Sequence, residues 1–152
     1  LQGSGFVCIL TRMLFTLYAD GGSRGNPGPA GSGAVVFDSI GKRLVEVSDY
    51  IGVTSNNVAE YEAVLRGLNA LAAAYPAGYF VDNEVLVRMD SKLVIEQLKG
   101  AYKVKHPNLI PRYLEVRNTL ARSFPHVSFE HVRREYNADA DELANKAMDK
   151  GT

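Results

Sequence analysis

This chain has no tryptophan, only one cysteine, no long apolar run and no excess of charge of either sign. The single cysteine, Cys8, excludes an internal disulfide and favours a reducing compartment, so we expect a cytoplasmic location. No apolar run approaches the roughly 18 residues that suggest a membrane span. The 17 basic and 17 acidic side chains give a formal net charge of zero, which argues against binding nucleic acid through a bulk positive field. Any nucleic-acid contact must therefore come from a local basic patch.

The length of 152 residues fits one domain that is large enough to bury its own core. Residues 1–12 contain no acidic residue and are too weakly patterned for a signal peptide, so we interpret them as a tag or extension. The first clear structural pattern begins at Met13. We therefore expect residues 13–150 to form the single domain.

The pattern of apolar residues from Met13 onwards predicts alternating strands and helices. We expect strands at 13–19, 31–38, 42–52, 84–89 and 126–133. We expect helices at 57–75, 91–99, 108–123 and 138–150. Short links make the first three strands antiparallel neighbours, and crossover connections supply the others. The predicted fold class is α/β, with a mixed five-stranded sheet flanked by helices.

Four acidic residues stand at the ends of predicted elements in four separate segments: Asp20, Glu60, Asp90 and Asp141. If the fold gathers these carboxylates, hard divalent cations would relieve their repulsion, because such cations prefer oxygen ligands. Two such metals can activate water and stabilise the leaving oxygen of a phosphodiester. The pattern therefore favours a metal-dependent nuclease.

Each acid also has a local explanation. Glu60 has capping-box spacing from Asn57, and Asp90 stands where an N-cap of the next helix would be. Asp141 would suit the dipole at the start of the last helix. Asp20 is harder to explain locally, because an unpaired carboxylate that follows an apolar strand is costly. None of these explanations accounts for four acids at corresponding ends of elements.

Four motifs in this order make the sequence resemble type 1 ribonuclease H, the endonuclease that cuts the RNA strand of an RNA–DNA hybrid. They are Asp20-Gly-Gly-Ser-Arg-Gly-Asn-Pro-Gly28, Asn56-Asn-Val-Ala-Glu60, Met89-Asp-Ser-Lys-Leu-Val-Ile-Glu-Gln97 and Asn137-x-x-Ala-Asp-Glu-Leu-Ala144. The resemblance spans residues 13–149 and is closest to the short archaeal and actinobacterial branch, which lacks the basic protrusion. In some members of that branch the domain is fused to a phosphatase-like domain.

The resemblance implies that the catalytic acids, which are also the metal ligands, are Asp20, Glu60, Asp90 and Asp141. It implies two Mg²⁺ ions per site, with Mn²⁺ as an alternative because oxygen ligands accept both. Asp20 would lie between the two ions, Glu60 and Asp90 near the leaving 3′ oxygen, and Asp141 at the ion that activates water. The products would carry 5′-phosphate and 3′-hydroxyl ends. Four clustered acids also predict raised and coupled carboxylate pKa values in the metal-free site.

The sequence departs from many bacterial family members in the connection before the last helix, where residues 133–137 contain no histidine. Arg134 resembles an arginine found there in related archaeal enzymes, and it is the candidate for a catalytic assisting role. A salt bridge to Glu135, or simple exposure to solvent, is the alternative. His131 falls within a predicted strand, and we expect it to be structural.

Contacts with the substrate are also implied by the resemblance. Glycines after Asp20 permit close approach of the backbone to 2′-hydroxyl groups. The loop 101–107 is too short for the basic protrusion, so its lysines and tyrosine are expected to replace it modestly, an ordinary solvated loop being the alternative. Asn57 could cap the helix instead. The predicted substrate-binding residues are Gly21, Gly22, Ser23, Arg24, Asn26, Asn56, Asn57, Ser91, Lys92, Tyr102, Lys103 and Lys105.

The expected partner is an RNA–DNA hybrid, and resemblance to the archaeal branch permits double-stranded RNA as well. We expect a monomer with no membrane contact. The alternatives are a non-catalytic hybrid-binding module, another nuclease of the same fold, or a small carboxylate-rich phosphatase. The four acids weigh against a binding module, because binding alone does not require four desolvated carboxylates.

Overall fold

A computed structural model of the protein describes residues 12–151. The interpretation of residues 1–12 as a tag or extension therefore falls outside the described residues, except for Arg12. The strands are β1 (Leu14–Ser23), β2 (Gly28–Phe37), β3 (Arg43–Thr54), β4 (Glu84–Met89) and β5 (Val127–His131). The α-helices are α1 (Asn56–Ala73), α2 (Lys92–Leu98), α3 (Ile110–Ser123) and α4 (Ala138–Lys150). Short 3₁₀ helices cover Tyr79–Val81 and Arg134–Asn137.

The five strands form one mixed sheet in the order β3-β2-β1-β4-β5. β1 and β3 each pair antiparallel with β2, while β4 pairs parallel with β1 and β5 parallel with β4. The predicted fold class, three antiparallel strands followed by parallel additions, is confirmed. Within residues 12–151, no helix combines the length and the apolar character needed to cross a membrane.

The glycine-rich segment after Asp20 is strand over most of its length, so the predicted strand bounds of 13–19 and 31–38 were too short on both sides of it. β1 continues to Ser23 and β2 already begins at Gly28. Asp20 pairs with Gly33, and the ladder runs on to Ser23. A ladder needs only backbone N–H and C=O groups, so it persists where the apolar side chains stop. Asp20 therefore lies within β1 and not at its end.

Alternate residues of β1 face the two helical layers of the fold. Phe15, Leu17 and Ala19 are buried in the main core, which they share with α1. Phe15 packs edge-on against Phe80, with the ring centroids 5.2 Å apart. The intervening residues of β1, among them Asp20, point to the opposite face of the sheet. That alternation places the Asp20 carboxylate on the face of the sheet that packs against α4.

Helix α4 lies directly on the backbone of β2. A Cβ atom added at Gly33 would lie 2.3 Å from the carbonyl oxygen of Ala140 and 2.5 Å from the amide nitrogen of Ala144. The Ser48 hydroxyl donates a hydrogen bond of 2.7 Å to the carbonyl oxygen of Leu143, which also fastens α4 to the sheet. This close packing carries the first turn of α4, with Asp141, to the side of β1 that holds Asp20.

Candidate active site

Carboxylates from four separate segments of the chain line one cleft beside the central strands β1 and β4. The cleft has a volume of about 410 Å³. Its acidic lining residues are Asp20, Glu60, Asp90 and Asp141. Ligand oxygens of Asp20, Glu60 and Asp90 lie within 4.8 Å of one another. The structure thus brings the four acids of the sequence prediction together, three of them within the reach of a single cation.

Glu60 lies in α1, whose N-cap is two residues earlier than the Asn57 that a capping box with Glu60 would require. The N-cap is Ser55, whose hydroxyl accepts a hydrogen bond of 3.3 Å from the Val58 amide, so the predicted Asn57–Glu60 capping box was wrong. Glu60 Oε1 instead accepts a hydrogen bond of 2.6 Å from the Gly21 amide. A Cβ atom at Gly21 would lie 2.2 Å from the backbone of Ala59. Only glycine allows β1 to approach α1 closely enough for this contact.

Asp90 follows β4 directly and does not cap the next helix. The N-cap of α2 is Ser91, whose hydroxyl accepts a hydrogen bond of 3.3 Å from the Val94 amide, so the N-cap explanation of Asp90 was wrong. Asp90 Oδ1 accepts a hydrogen bond of 3.2 Å from Asn137 Nδ2. His131, which we expected to be structural, lies with Nε2 3.3 Å from the carbonyl oxygen of Asp90. The Asp90 carboxylate therefore does not serve as a helix cap and lines the cleft.

Asp139 and Asp141 both lie in the first turn of α4, but they face different surroundings. Asp139 forms an ion pair of 3.2 Å with Arg43. It lines a second depression, which is bounded by Tyr18 and Phe37. Asp141 lines the cleft and lies close enough to Asp20 for a hydrogen bond between the two carboxyl groups. This separation agrees with the choice of Asp141 as the fourth acid.

Burial and the proximity of other acids raise the carboxyl pKa values of Asp20 and Glu60 in the metal-free protein. Burial, then repulsion from Glu60 and Asp90, raises the pKa of Asp20 well above its usual range. Burial also raises the pKa of Glu60, although the hydrogen bond from the Gly21 amide opposes that effect. The pKa shifts of these two groups have the predicted direction. The metal-free cluster therefore retains protons at pH values where isolated carboxyl groups are ionised.

The charge of the four acids is not balanced by basic side chains of the protein. Within residues 12–151, no lysine or arginine forms an ion pair with any of them. Buried, closely spaced carboxylate oxygens of this kind suit hard divalent cations. The donor set therefore fits a divalent metal, and the residues able to hold it are Asp20, Glu60, Asp90 and Asp141.

The predicted substrate-binding residues divide into two groups in the structure. Those that line the cleft are Gly21, Gly22, Ser23, Arg24 and Asn56. Asn56 is held at the rim, because its Oδ1 accepts a hydrogen bond of 2.8 Å from the Ser23 amide. Asn26 supports it from behind, its Oδ1 accepting a hydrogen bond of 3.1 Å from the Asn56 amide. Asn56 thus lines the cleft, whereas its neighbour Asn57 does not.

The remaining predicted contacts lie outside the cleft. Among the described residues, its lining does not include Asn57, Ser91, Lys92, Tyr102, Lys103 or Lys105. Tyr102 and Lys103 border a separate depression of about 340 Å³ with an aliphatic wall that includes Ile110. Their loop is held in place, since Gln97 Nε2 donates a hydrogen bond of 3.3 Å to the carbonyl oxygen of Lys103. Lys105 is exposed on the same loop.

Arg134, the candidate assisting residue, also lines the cleft. Within residues 12–151 it forms no ion pair, so the alternative of a salt bridge to Glu135 was wrong. It stands in the 3₁₀ helix that leads into α4. The Arg134 guanidinium group is therefore available to a ligand in the cleft.

Two further lining residues, Asn145 and Met148, were not predicted from the sequence. Asn145 follows Asp141 by one helical turn and donates a hydrogen bond of 3.0 Å from Nδ2 to its carbonyl oxygen. Met148 lies below Gly22, where an added Cβ atom would be 3.3 Å from the Met148 methyl group. Spacings of four and seven residues from Asp141 share one helix face. That spacing was the signal that could have found them.

Comparison with known proteins places this chain in a family. The sequence matches the protein family described as Reverse transcriptase-like over residues 18–147. The Bifunctional protein Rv2228c of Mycobacterium tuberculosis is 46% identical over 138 residues, which cover 90% of this chain and 36% of that protein. Ribonuclease HI of Halobacterium salinarum is 41% identical over 132 residues, which cover 87% of this chain and 63% of that protein.

A solved structure agrees with these sequence matches. LC11-RNase H1 in complex with RNA/DNA hybrid is 48% identical, with a TM-score of 0.85, and the match covers 90% of this chain and 98% of that one. The chain belongs to the type 1 ribonuclease H family. Enzymes of the ribonuclease H family depend on divalent metals, which agrees with the acid cluster. The chain spans about a third of the mycobacterial relative and 63% of the halobacterial ribonuclease H.

The raised pKa values predict how the stability of the metal-free protein depends on pH. In the folded state Asp20 and Glu60 bind protons more tightly than in the unfolded state. Their contribution to stability is therefore fully present below the unfolded pKa of about 4 and is lost as pH rises towards the folded values. At higher pH the ionised Asp20 carboxylate destabilises the folded state, and Asp20→Asn removes this destabilisation. In EDTA, we expect the variant to be more stable than the wild type by roughly 1–3 kcal/mol at pH 8 and by less at pH 5.

Urea unfolding of both proteins between pH 5 and pH 8 measures this difference. Asp82→Asn, at an exposed aspartate, is the matched control, and we expect no comparable trend with pH there. A stability difference for Asp20→Asn that stays constant or shrinks as pH rises would contradict the electrostatic account.

Proposed function

We propose that this chain is an endonuclease that hydrolyses the RNA strand of RNA–DNA hybrids and leaves 5′-phosphate and 3′-hydroxyl ends. The observation that carries the proposal is the approach of ligand oxygens of Asp20, Glu60 and Asp90 within 4.8 Å, in the cleft that Asp141 also lines. Membership of the ribonuclease H family supports it, as does the similarity to a structure in complex with RNA/DNA hybrid. Residues 13–150 would form the catalytic domain.

The metal ions of the proposed reaction are two Mg²⁺ ions, which Mn²⁺ can replace. Asp20 lies beside both Glu60 and Asp141, which suits a carboxylate shared by two ions. Glu60 and Asp90 would complete one position, and Asp141 the other. Two divalent ions supply water activation and stabilise the leaving oxygen of a phosphodiester. The protein's part is to hold four carboxylates on rigid elements before the substrate arrives.

Arg134 would assist by contacting the phosphate that is cut. It lines the cleft on the α4 side, with its charge not committed to another group of residues 12–151. A guanidinium group matches the geometry of phosphate oxygens and remains charged at all working pH values. This contact would place the phosphate against the acids or help the product to leave.

The rim of the cleft would recognise the RNA strand. Gly21 and Gly22 expose backbone where a ribose could approach, and Ser23 and Arg24 extend the same edge. Asn56 uses its Oδ1 for the Ser23 amide, which directs the other end of its side-chain amide away from that contact. A donor at this place suits a 2′-hydroxyl, the group that distinguishes RNA from DNA. Contacts to sugar and phosphate predict no sequence specificity.

The exposed loop that carries Tyr102, Lys103 and Lys105 would contact the DNA strand outside the cleft. A duplex is longer than the cleft, so contacts at a second surface are compatible with cutting at the first. The lysines would bind phosphates and the tyrosine would stack. Asn57, Ser91 and Lys92 remain predicted substrate contacts, and the Ser91 hydroxyl also caps α2. A monomer, a cytoplasmic location and cutting of double-stranded RNA stay predictions.

Cleavage of an end-labelled RNA strand tests the proposed function. The strand would be supplied paired with DNA, paired with RNA and alone, each with Mg²⁺, with Mn²⁺ and with EDTA. We expect metal-dependent cutting of the hybrid, abolished by Asp20→Asn, because that change removes the carboxylate that would contribute to both ion positions. Cutting of the RNA duplex as well would extend the substrate range.

Hybrid binding without cleavage in any metal would contradict the proposal and favour the non-catalytic binding module. Cutting that persists in EDTA would contradict the metal-dependent mechanism.

Arg134→Ala tests the assisting role. We expect its kcat on the hybrid to fall by roughly 10- to 100-fold, far less than that of Asp20→Asn, because it removes a helper and leaves the metal ligands in place. Arg133→Ala is the matched control, since the neighbouring arginine is exposed and is not part of the cleft lining. Equal losses in Arg134→Ala and Asp20→Asn would overturn the ranking, and equal activity of Arg134→Ala and the control would remove the assisting role.

A further inference from the structure

Asn137 occupies the N-cap position of α4 but does not cap the helix. Asparagine at an N-cap normally accepts a hydrogen bond from a backbone amide of the first turn. Here the backbone is at φ −121° and ψ 25°, and the side chain makes no capping bond. The side chain is only 1% exposed and turns inwards. Stabilisation of α4 by capping therefore does not explain this residue.

The side-chain amide of Asn137 connects two acid-bearing strands. Its Nδ2 donates a hydrogen bond of 2.9 Å to the carbonyl oxygen of Ala19, directly before Asp20 in β1. The same atom donates a hydrogen bond of 3.2 Å to Asp90 Oδ1, at the end of β4. The Ala19 group is a carbonyl and can only accept, which requires the nitrogen of the amide to face it. The orientation of the amide is thus fixed by its partners.

Asn137 also immediately precedes α4, which carries Asp141 four residues later. One buried side chain therefore joins the segments that carry Asp20, Asp90 and Asp141. Its Nδ2 donates to the Asp90 carboxylate and to the backbone directly before Asp20, and its own backbone leads into α4. It leaves a lone pair of the Asp90 carboxylate to the cleft.

The two hydrogen bonds made by Asn137 Nδ2 leave the oxygen of the same side chain without a partner among residues 12–151. This Oδ1 atom is buried. A buried acceptor without a partner destabilises a fold, as does a helix start without its cap. Both costs are tolerated at the residue that holds Asp90 in place.

We propose that Asn137 is a positioning residue that holds the Asp90 carboxylate and β1 in the geometry that binds the divalent cation. The inference rests on the proposed function, in which Asp90 is a metal ligand. Asn137 acts through Asp90 and does not itself touch the cation. Groups that hydrogen-bond to a metal ligand typically contribute about 10- to 100-fold to metal affinity.

Calorimetric titration of the protein with Mn²⁺, without nucleic acid, tests this role beside thermal unfolding. We expect Asn137→Ala to bind Mn²⁺ about tenfold more weakly, because the Asp90 carboxylate loses its donor. Its kcat on the hybrid should fall at limiting Mn²⁺ and recover as the metal concentration rises, with an unchanged KM for the hybrid. Ser48→Ala is the matched control: it removes another side-chain bond that fastens α4 to the sheet, and it should lower Tm without changing metal affinity.

Asn137→Ser separates positioning from stability. Serine is a good N-cap, so this variant should unfold at a temperature at least as high as Asn137→Ala. It lacks the reach for both partners and should still bind Mn²⁺ more weakly than the wild type. If Asn137→Ala fails to fold, the serine variant carries the test.

Wild-type affinity for Mn²⁺ in either folded variant would overturn the positioning role. Since metal binding is measured without RNA, a wild-type protein that binds Mn²⁺ but does not cut the hybrid would contradict the proposed function alone. A wild-type protein that binds no Mn²⁺ would overturn both.

Discussion

The mutual repulsion of buried carboxylates is the constraint on which the rest of the structure depends. Asp20 and Glu60 are both about nine-tenths buried and lie beside Asp90, with no basic partner among residues 12–151. Such a cluster is unfavourable in a metal-free protein: burial first, and repulsion between the acids second, raise the pKa values of Asp20 and Glu60. Divalent cations reverse the sign of the interaction, so the same geometry that costs stability provides the metal-binding capacity.

The fold withstands this repulsion because close backbone packing and two hydrogen bonds to the acids set their positions. Gly21 lets β1 approach the first turn of α1, and Gly33 lets α4 rest on β2. The Gly21 amide then donates to Glu60, and Asn137 donates to Asp90. Sites carried by packed strands and helices hold their geometry better than sites on loops. Packing of the core and these hydrogen bonds thus fix the acids, so a metal ion is not needed to bring them together.

The order of elements, the sheet and the four acids could be predicted from the sequence, because apolar periodicity and the motifs report them directly. The extent of β1 could not, since glycines pair through backbone groups that periodicity does not detect. The helix caps were misassigned because Ser55 and Ser91 stand beside equally good candidates, and only packing decides which side chain turns inwards. The sequence also does not show that Lys103 lies outside the cleft, whereas the helical spacing from Asp141 could have revealed Asn145.

The most direct test of the central claim is the location of Mn²⁺ by anomalous diffraction in crystals of the protein with a hybrid that resists cleavage. The account predicts two peaks bounded by the four acids. One should lie among Asp20, Glu60 and Asp90, and the other between Asp20 and Asp141. Manganese bound elsewhere, with the cleft carboxylates left without a peak, would contradict the claim that these acids form a metal-binding catalytic site.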